Sequence, residues 1–190
     1  GDSVIKAQIK IRTSRFEINY DDLKIRKVIG RGAYGVVYKA EWHGDVVAVK
    51  AISLNSTCLD FEELKHILGE FENEVQLLSE HRHPNLLTFM GACIAPPNLC
   101  IVTEYMENGS LHDILIKKSI SLSWGEKLRI TLQIAQGINY LHKKDLVHRD
   151  LKSHNVFVRC YLQQYPHFPH YQQIDNNLNC KIGDFGLARV

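Results

Sequence analysis

The segment His148–Asn155, which reads HRDLKSHN, constrains the fold of this chain more than any other stretch. It gathers charged and amide side chains into a short run, and an apolar run at 156–158 follows it directly. A second polar turn, Asp184-Phe185-Gly186, comes just after another apolar run at 180–182. Short apolar runs bounded by polar turns predict strands. The fold must therefore place two polar turns at the ends of short strands.

Each polar residue of these turns is of a type suited to phosphoryl transfer. Asp150 can accept a proton from a substrate hydroxyl and orient it, and Lys152 can steady the transferring group. Asn155 and Asp184 offer the oxygen ligands that Mg²⁺ prefers where it bridges phosphate oxygens. Taken singly, all four would be ordinary polar loop residues. Their order and local structure match two known signatures, H-R-D-L-x-x-x-N and D-F-G.

A glycine-rich turn lies near the start of the chain and is a weak signal by itself. A plain glycine-rich hairpin explains it equally well, and a dinucleotide-binding turn would need a helix after its third glycine. Here Val36-Val37-Tyr38 continues as a strand instead. A strand, glycine loop and strand can cover a nucleotide's phosphates, since backbone N–H groups approach the oxygens closely. The turn consists of Gly30, Arg31, Gly32, Ala33, Tyr34 and Gly35.

An apolar strand, Val47-Ala48-Val49-Lys50, ends in a lysine that needs an anion if it points inward. Strand alternation puts Ala48 and Lys50 on one side, and Val37 belongs to the neighbouring strand. Glu74 lies on the apolar stripe of a predicted helix and can supply that anion. Without the other motifs, Glu74 is equally well an ordinary residue at the edge of the core.

From about Leu23 to Val190 the sequence resembles a eukaryotic protein kinase domain, because these four motifs occur in the order of that family. Arg82–Leu86 (RHPNL), Phe89-Met90-Gly91 and the Lys-Ser pair after HRD are similar to the tyrosine-kinase-like group, near the Raf-like and mixed-lineage kinases. Lys152 also resembles serine/threonine kinases more than tyrosine kinases.

The resemblance implies an α+β, bilobal protein-kinase-like fold with a cleft between the lobes. Its N-lobe would be complete, with an antiparallel sheet and helix C, and only the first part of a helical C-lobe would follow. The expected domains are a lead-in at 1–22, the N-lobe and hinge at 23–106, and a partial C-lobe at 107–190. The chain would stop shortly after DFG, so this piece alone is expected to be inactive.

The resemblance also assigns residues around the adenine ring and between the lobes. Thr103 falls at the gatekeeper position, and backbone groups of Glu104 and Met106 would bind adenine at the hinge. Arg149 would pair with a phosphorylated activation loop. Two apolar sets complete the assignment. The ring would lie between Val37, Ala48 and Phe157, and the column linking the lobes would contain Leu78, Phe89, His148 and Phe185.

The implied function is transfer of the γ-phosphoryl group of Mg·ATP to serine or threonine of a protein substrate in signalling, with ATP and Mg²⁺ as cofactors. The alternative is a catalytically silent kinase-like module that binds nucleotide or acts as a scaffold. The resemblance also implies that the protein containing this chain could dimerise with another kinase. A net charge of +2 gives no indication of nucleic-acid binding, and no apolar run is long enough for a membrane span. Five dispersed cysteines favour a reducing, cytoplasmic location.

Helical periodicity predicts two long helices. The first follows Lys50 with apolar positions at three- and four-residue steps, and Gly69 divides it into two pieces, the first capped by Asp60. The second begins at a capping box, Ser123 to Glu126, and runs to about His142. Its predicted buried stripe is Leu128, Leu132, Ala135, Ile138 and Leu141. With the rest of a C-lobe missing, this stripe would lose its packing partners and promote association.

The stretch 159–179 is longer than the short turn that the family usually has before DFG. We interpret it as a surface loop or as a stretch foreign to the mature protein, since long loops cost little extra closure entropy. A metal site formed by Cys160, His167 and His170 is a weaker alternative, because their spacing matches no known set of ligands.

Overall fold

A computed structural model describes residues 16–32, 35–52, 61–95, 97–117, 121–159, 162–165, 168–174, 178–186 and 188. The chain divides into two compact units. The first is drawn from Gly1–His81 and Thr88–Tyr105, and the second from Arg82–Leu87 and Met106–Val190. None of the helices in the described ranges is long and apolar enough to cross a membrane.

The first unit is a five-stranded antiparallel sheet with one long helix. Its strands lie in the order β1-β2-β3-β5-β4, so only β5 and β4 depart from sequence order. A two-residue turn at His43 and Gly44, both with positive φ, joins β2 to β3 and matches the right-handed twist of the strands. The strands are β1 (Leu23–Gly32), β2 (Gly35–Trp42), β3 (Asp45–Ile52), β4 (Phe89–Cys93) and β5 (Cys100–Glu104).

Helix α1 (Phe61–Glu80) is continuous, so the prediction of two helical pieces is wrong. Gly69 is exposed and its position is open, so its only cost is the conformational one, about 1 kcal/mol relative to alanine. Burial of Phe71, Val75 and Leu78 offsets that cost, at roughly 1.5–3 kcal/mol per side chain. The predicted cap, Asp60, lies outside the described residues.

The predicted lead-in is not wholly separate from the sheet. The backbone N–H of Ile18 donates to the carbonyl of Ala92 at 2.9 Å, and the N–H of Ala92 donates to the carbonyl of Phe16 at 3.0 Å. Residues 16–18 therefore run parallel to β4 along its free edge. Gly91 makes this possible, because a Cβ there would collide with the Ile18 side chain.

The second unit is built on helix α2 (Trp124–His142), which begins at the predicted capping box. The Ser123 N–H donates to the Glu126 carboxylate at 2.6 Å, and the Glu126 N–H donates to Ser123 Oγ at 3.3 Å. A short π-helical turn, Asp113–Lys117, precedes the helix, and a 3₁₀ turn, Ser153–Asn155, follows it.

The apolar stripe predicted on α2 is mostly exposed, as expected for a stripe without packing partners. Leu128 and Leu132 are 65% and 57% exposed, and Ala135 is exposed as well. Leu141 is buried as predicted, and Ile138 is half-buried. The buried face instead carries Ile130, Gly137 and Leu141, because the small Gly137 lets the helix approach the chain at Asn85 and Ile182.

Two small antiparallel pairs complete this unit. β6 (Val156–Arg159) pairs with β9 (Asn179–Ile182), as the short apolar runs predicted. Between them, β7 (Leu162–Tyr165) and β8 (Phe168–Ile174) form a hairpin of their own. The prediction of a surface loop at 159–179 is therefore wrong for these strands, where cross-strand pairing satisfies backbone groups that a loop would leave to water.

Candidate active site

In the first unit, Lys50 on β3 forms an ion pair with Glu74 on α1. Lys50 Nζ lies 3.0 Å from Glu74 Oε1 and 2.7 Å from Oε2. Glu74 is buried, whereas the Lys50 side chain is 34% exposed. The carboxylate thus sits where a lone charge would be costly, and the lysine retains access to a further anion.

The glycine-rich turn is a strand–turn–strand feature, as predicted. Gly30 lies opposite Val37, and Gly32 lies opposite Gly35 in the β1–β2 register. Arg31 and Gly32 are exposed. Gly35 cannot be replaced without a shift, because a Cβ there would collide with the carbonyl oxygen of Ala51. The turn's tip, Ala33 and Tyr34, lies outside the described residues.

Strand register brings the predicted adenine-contacting residues of the first unit together. Val37 pairs with Lys50, and Ala48 pairs with Thr103 on β5. Thr103 is buried. The Glu104 backbone is tied to Thr88, since its N–H donates to the Thr88 carbonyl at 3.0 Å and its carboxylate accepts from the Thr88 N–H at 2.8 Å. The Glu104 N–H is therefore already engaged.

The remaining predicted adenine contacts belong to the second unit. Met106 is buried, and its carbonyl accepts a hydrogen bond from the Gly109 N–H at 3.1 Å. Phe157 is half-buried on β6, opposite Lys181 of β9. An antiparallel bridge also joins Phe157 to Ser110. The chain after Met106 is thus fixed to the strand that begins directly after Asn155.

Asp150 is the centre of a hydrogen-bond network in the second unit. Lys152 Nζ lies 2.7 Å from Asp150 Oδ2 and 3.0 Å from Oδ1. Asn155 Nδ2 donates to both the carbonyl and the carboxylate of Asp150, each at 2.9 Å. The Lys152 ammonium foremost, and then Asn155, lower the pKa of Asp150, while partial desolvation opposes them. The carboxylate is therefore ionised at neutral pH and can accept a hydrogen bond from a hydroxyl.

The turn at Asp184 is attached to the same network. The Gly183 N–H donates to the carbonyl of Asn155 at 2.9 Å, and His148 Nε2 lies 3.0 Å from the Gly183 carbonyl. The His148 and Phe185 rings are in contact, with centroids 5.2 Å apart. Asp184 is exposed with a φ of 63°, a conformation that costs a residue with a side chain some strain.

The donor set fits a hard divalent cation. Asn155 uses its amide nitrogen on Asp150, which leaves the amide oxygen as the group that can face a metal. Asp184 offers carboxylate oxygens, and the residue before it, Gly183, is hydrogen-bonded to the Asn155 carbonyl. No group of three His, Cys, Asp or Glu side chains that could bind a metal occurs in the described ranges. Cys160 and His167 of the alternative metal site lie outside those ranges.

Sequence reasoning missed an amide clasp that holds β9, the strand leading to Asp184. Gln133 of α2 accepts from the Cys180 N–H at 2.6 Å and donates to the Leu178 carbonyl at 3.0 Å. Asn85 Nδ2 donates to the Cys180 carbonyl at 3.0 Å. Asn85 lies in the RHPNL segment, but a single glutamine on an amphipathic helix gives no signal that it is half-buried.

A stacked histidine pair beside the turn that carries Asp150 was also missed. The rings of His112 and His154 are nearly parallel, with centroids 3.8 Å apart. His154 directly precedes Asn155, whose side chain contacts Asp150. His154 occupies a variable position of the H-R-D-L-x-x-x-N signature and His112 lies in no motif, and ring stacking between residues so distant in sequence has no local pattern.

The Lys50–Glu74 ion pair in the first unit and the Asp150 network in the second are features expected of a phosphotransferase domain, and the comparison with known proteins agrees. The chain belongs to the protein kinase family: residues 23–190 match the family described as protein tyrosine and serine/threonine kinase.

The curated relatives that it matches are named as serine/threonine-protein kinases. It is 41% identical over 177 residues to a probable serine/threonine-protein kinase of Dictyostelium discoideum, covering 93% of this chain and 17% of the relative. It is 41% identical over 181 residues to a putative serine/threonine-protein kinase/receptor of Acanthamoeba polyphaga mimivirus, covering 93% and 10%. For the probable serine/threonine-protein kinase SIS8 of Arabidopsis thaliana the identity is 39% over 176 residues, covering 92% and 15%. The chain thus spans a small part of each relative's length.

Proposed function

We propose that this chain binds Mg·ATP and that the protein containing it transfers the γ-phosphoryl group to serine or threonine of a protein substrate. The observation that carries the proposal is the Asp150 network. An ionised carboxylate, held by Lys152 and Asn155, is suited to orient a hydroxyl and to take up its proton as the phosphoryl group leaves ATP.

The residues proposed to hold ATP are those that the family resemblance assigns to its phosphates and its adenine ring. Lys50, oriented by Glu74, contacts phosphate oxygens, and backbone groups of the glycine-rich turn cover them. Adenine packs against Val37, Ala48 and Phe157. Because the Glu104 N–H is engaged with Thr88, adenine binding at the hinge is assigned to the Glu104 carbonyl and the Met106 backbone.

Mg²⁺ is proposed to bind the Asn155 amide oxygen and the Asp184 carboxylate. Held by these two side chains, the ion would supply positive charge to the phosphate groups. The protein contributes fixed positions: the hydrogen bond from Gly183 to the Asn155 carbonyl ties the two ligands together. Lys152 supplies a positive charge beside the hydroxyl that Asp150 orients.

We also infer a finer placement, in the tyrosine-kinase-like group near the Raf-like and mixed-lineage kinases. The RHPNL and FMG segments and the Lys-Ser pair after HRD support it. A cytoplasmic location is supported by three free cysteines, Cys93, Cys100 and Cys180, all of which are buried.

Calorimetry of ATP binding with and without Mg²⁺ tests the proposal. It compares the chain and a longer form of the protein with their Lys50→Met variants, and the longer form is also assayed for phosphorylation of a generic serine/threonine substrate. Mg²⁺-dependent binding that Lys50→Met abolishes, with transfer by the longer form, supports a kinase. A folded longer form that binds no nucleotide contradicts it and favours the scaffold alternative.

A further inference from the structure

Two cysteines face each other across the end of a β-hairpin in the first unit. Cys93 is the last residue of β4, Cys100 is the first residue of β5, and the two are directly paired in the antiparallel register. Directly opposed residues have Cα atoms about 4.5–5.5 Å apart, within the range of about 4.4–6.8 Å that a disulfide requires.

The two thiols belong to directly opposed residues, and both cysteines are free and lie in the same apolar cluster. The neighbouring Cys100 thiol first, and then burial, raises the pKa of Cys93.

The segment Phe16–Asp22 covers this pair. Ile18 and Leu23 are buried in the same cluster as the cysteines, and Tyr20 packs against it. Burial raises the pKa of Tyr20, and the nearby Cys100 and Cys93 add to the increase. Two backbone hydrogen bonds to Ala92 and the packing of Ile18 attach segment 16–22 to the edge of the sheet. A segment at the edge opens more readily than the central strands of the sheet.

We propose that Cys93 and Cys100 form a reversible intrachain disulfide with small-molecule disulfides such as glutathione disulfide, and that segment 16–22 controls access to them. In the first step a cysteine thiolate attacks one sulfur of glutathione disulfide, whose S–S bond breaks, and one glutathione departs with the cysteine's proton. In the second step the other cysteine attacks the mixed disulfide and displaces the second glutathione, which takes up the proton of that cysteine. The two cysteines are oxidised and one glutathione disulfide is reduced to two thiols.

The pair lies at the end of a ladder. Cys93 and Cys100 are the terminal pair of the β4–β5 ladder, next to the connection at 94–99, and Cys100 also pairs with Ala51 of β3. Cys180 provides an internal comparison, since it is equally buried but lies in the second unit without a cysteine opposite it in the β6–β9 register. Buried single thiols react slowly.

The test incubates the folded chain, carrying Cys58→Ser and Cys160→Ser, with graded ratios of oxidised to reduced glutathione. Remaining thiols are then alkylated, and peptides are mapped by mass spectrometry. We expect Cys93 and Cys100 to lose both thiol hydrogens together and to retain no glutathione, while Cys180 stays reduced. Persistence of both thiols at every ratio, or separate retention of glutathione by each cysteine, would overturn the proposal.

Access is tested by the rate at which the thiols react with an alkylating reagent. Ile18→Ala is expected to speed alkylation of Cys93 and Cys100 by about tenfold or more. Removing a buried isoleucine side chain should shift the equilibrium from the covered to the opened state of segment 16–22 by more than about tenfold. Val46→Ala, at an exposed position of β3, is the matched control and should leave the rate unchanged. Phe16→Ala, which removes an edge-to-face contact with Phe89, is a second variant if Ile18→Ala lowers Tm too far. Equal rates in all variants would exclude a covering role.

Discussion

The Asn155 side chain donates to both the main-chain carbonyl and the carboxylate of Asp150, at 2.9 Å each. One amide therefore fixes the position of the carboxylate and, through its oxygen, remains able to contact a metal. We therefore expect two effects when Asn155 is replaced, one on transfer and one on Mg²⁺ dependence.

Asn155→Ala should lower phosphoryl transfer by the longer protein by about 10²-fold or more, because it removes both a hydrogen bond to the proposed base and a metal ligand. The apparent Mg²⁺ requirement should also rise. Steady-state kinetics over a Mg²⁺ titration measures both effects. Asn139→Ala, at an exposed position of α2, is the control and should have wild-type kinetics. Unchanged Mg²⁺ dependence in Asn155→Ala would remove the metal role.

Lys50→Met should destabilise the chain as well as weaken ATP binding. The substitution leaves the buried Glu74 carboxylate without its 2.7 Å partner, and we expect a loss of about 1–3 kcal/mol in the free energy of unfolding. Lys50→Met/Glu74→Leu should recover part of that stability without recovering ATP binding. Denaturant melts and calorimetry measure the two effects. Lys24→Met, which breaks an exposed ion pair at 3.6 Å, should change stability by less than about 0.5 kcal/mol.

Gly137→Ala and Gly69→Ala should have opposite effects. At Gly137 a Cβ would stand 2.9 Å from Ile182 Cδ1 and 3.0 Å from the Asn85 carbonyl oxygen, which as backbone cannot easily move. We expect a loss of about 1–3 kcal/mol. Gly69 has nothing within 4 Å of its Cβ position, so alanine should stabilise α1 by about 0.5–1 kcal/mol. Thermal unfolding of both variants decides, and a stabilising Gly137→Ala would contradict this packing.

The pKa of Asp150 should rise when Lys152 is replaced. Lys152 is the main cause of its lowered pKa, so Lys152→Ala should move the Asp150 titration up towards the ordinary value of about 3.9. Because the folded pKa is lowered, the associated stability is complete above the unfolded pKa and is lost as pH falls through the folded one. Carboxyl ¹³C NMR across pH 2–6 follows the titration. Lys127→Ala, on the exposed face of α2, is the control. A titration unchanged by Lys152→Ala would show that another group holds the pKa down.

The exposed apolar face of α2 should tolerate charge. Leu128→Lys and Leu132→Lys remove side chains that are 65% and 57% exposed, so stability should change by less than about 0.5 kcal/mol, and self-association should fall. Leu141→Ala, at a buried position of the same helix, should cost about 2–5 kcal/mol. Light scattering and thermal melts measure the two effects. A large loss of stability in Leu128→Lys would show that this face is buried after all.

The motifs predicted the fold class because each depends on local chemistry: glycines in a turn, a lysine ending a strand, a capping box. The periodicity of α2 did not identify the face that packs within the unit, because the helix carries two apolar faces and period alone does not say which one meets the small Gly137. The hydrogen bonds from Gln133 to β9 could not be predicted from sequence for a related reason. They join residues that are 45 and 47 positions apart, and only the tertiary fold brings them together.

Within the part of the chain that the structure describes, the β7–β8 hairpin pairs with no other strand, while β6 and β9 keep their own register on either side of it. The connection between β6 and β9 can therefore gain or lose a self-paired unit without a shift in the strands that position Phe157 and Asp184. During evolution, this is a position where new coding sequence could be accepted at small cost. Mutational drift should consequently be faster in the hairpin than in the two strands it separates.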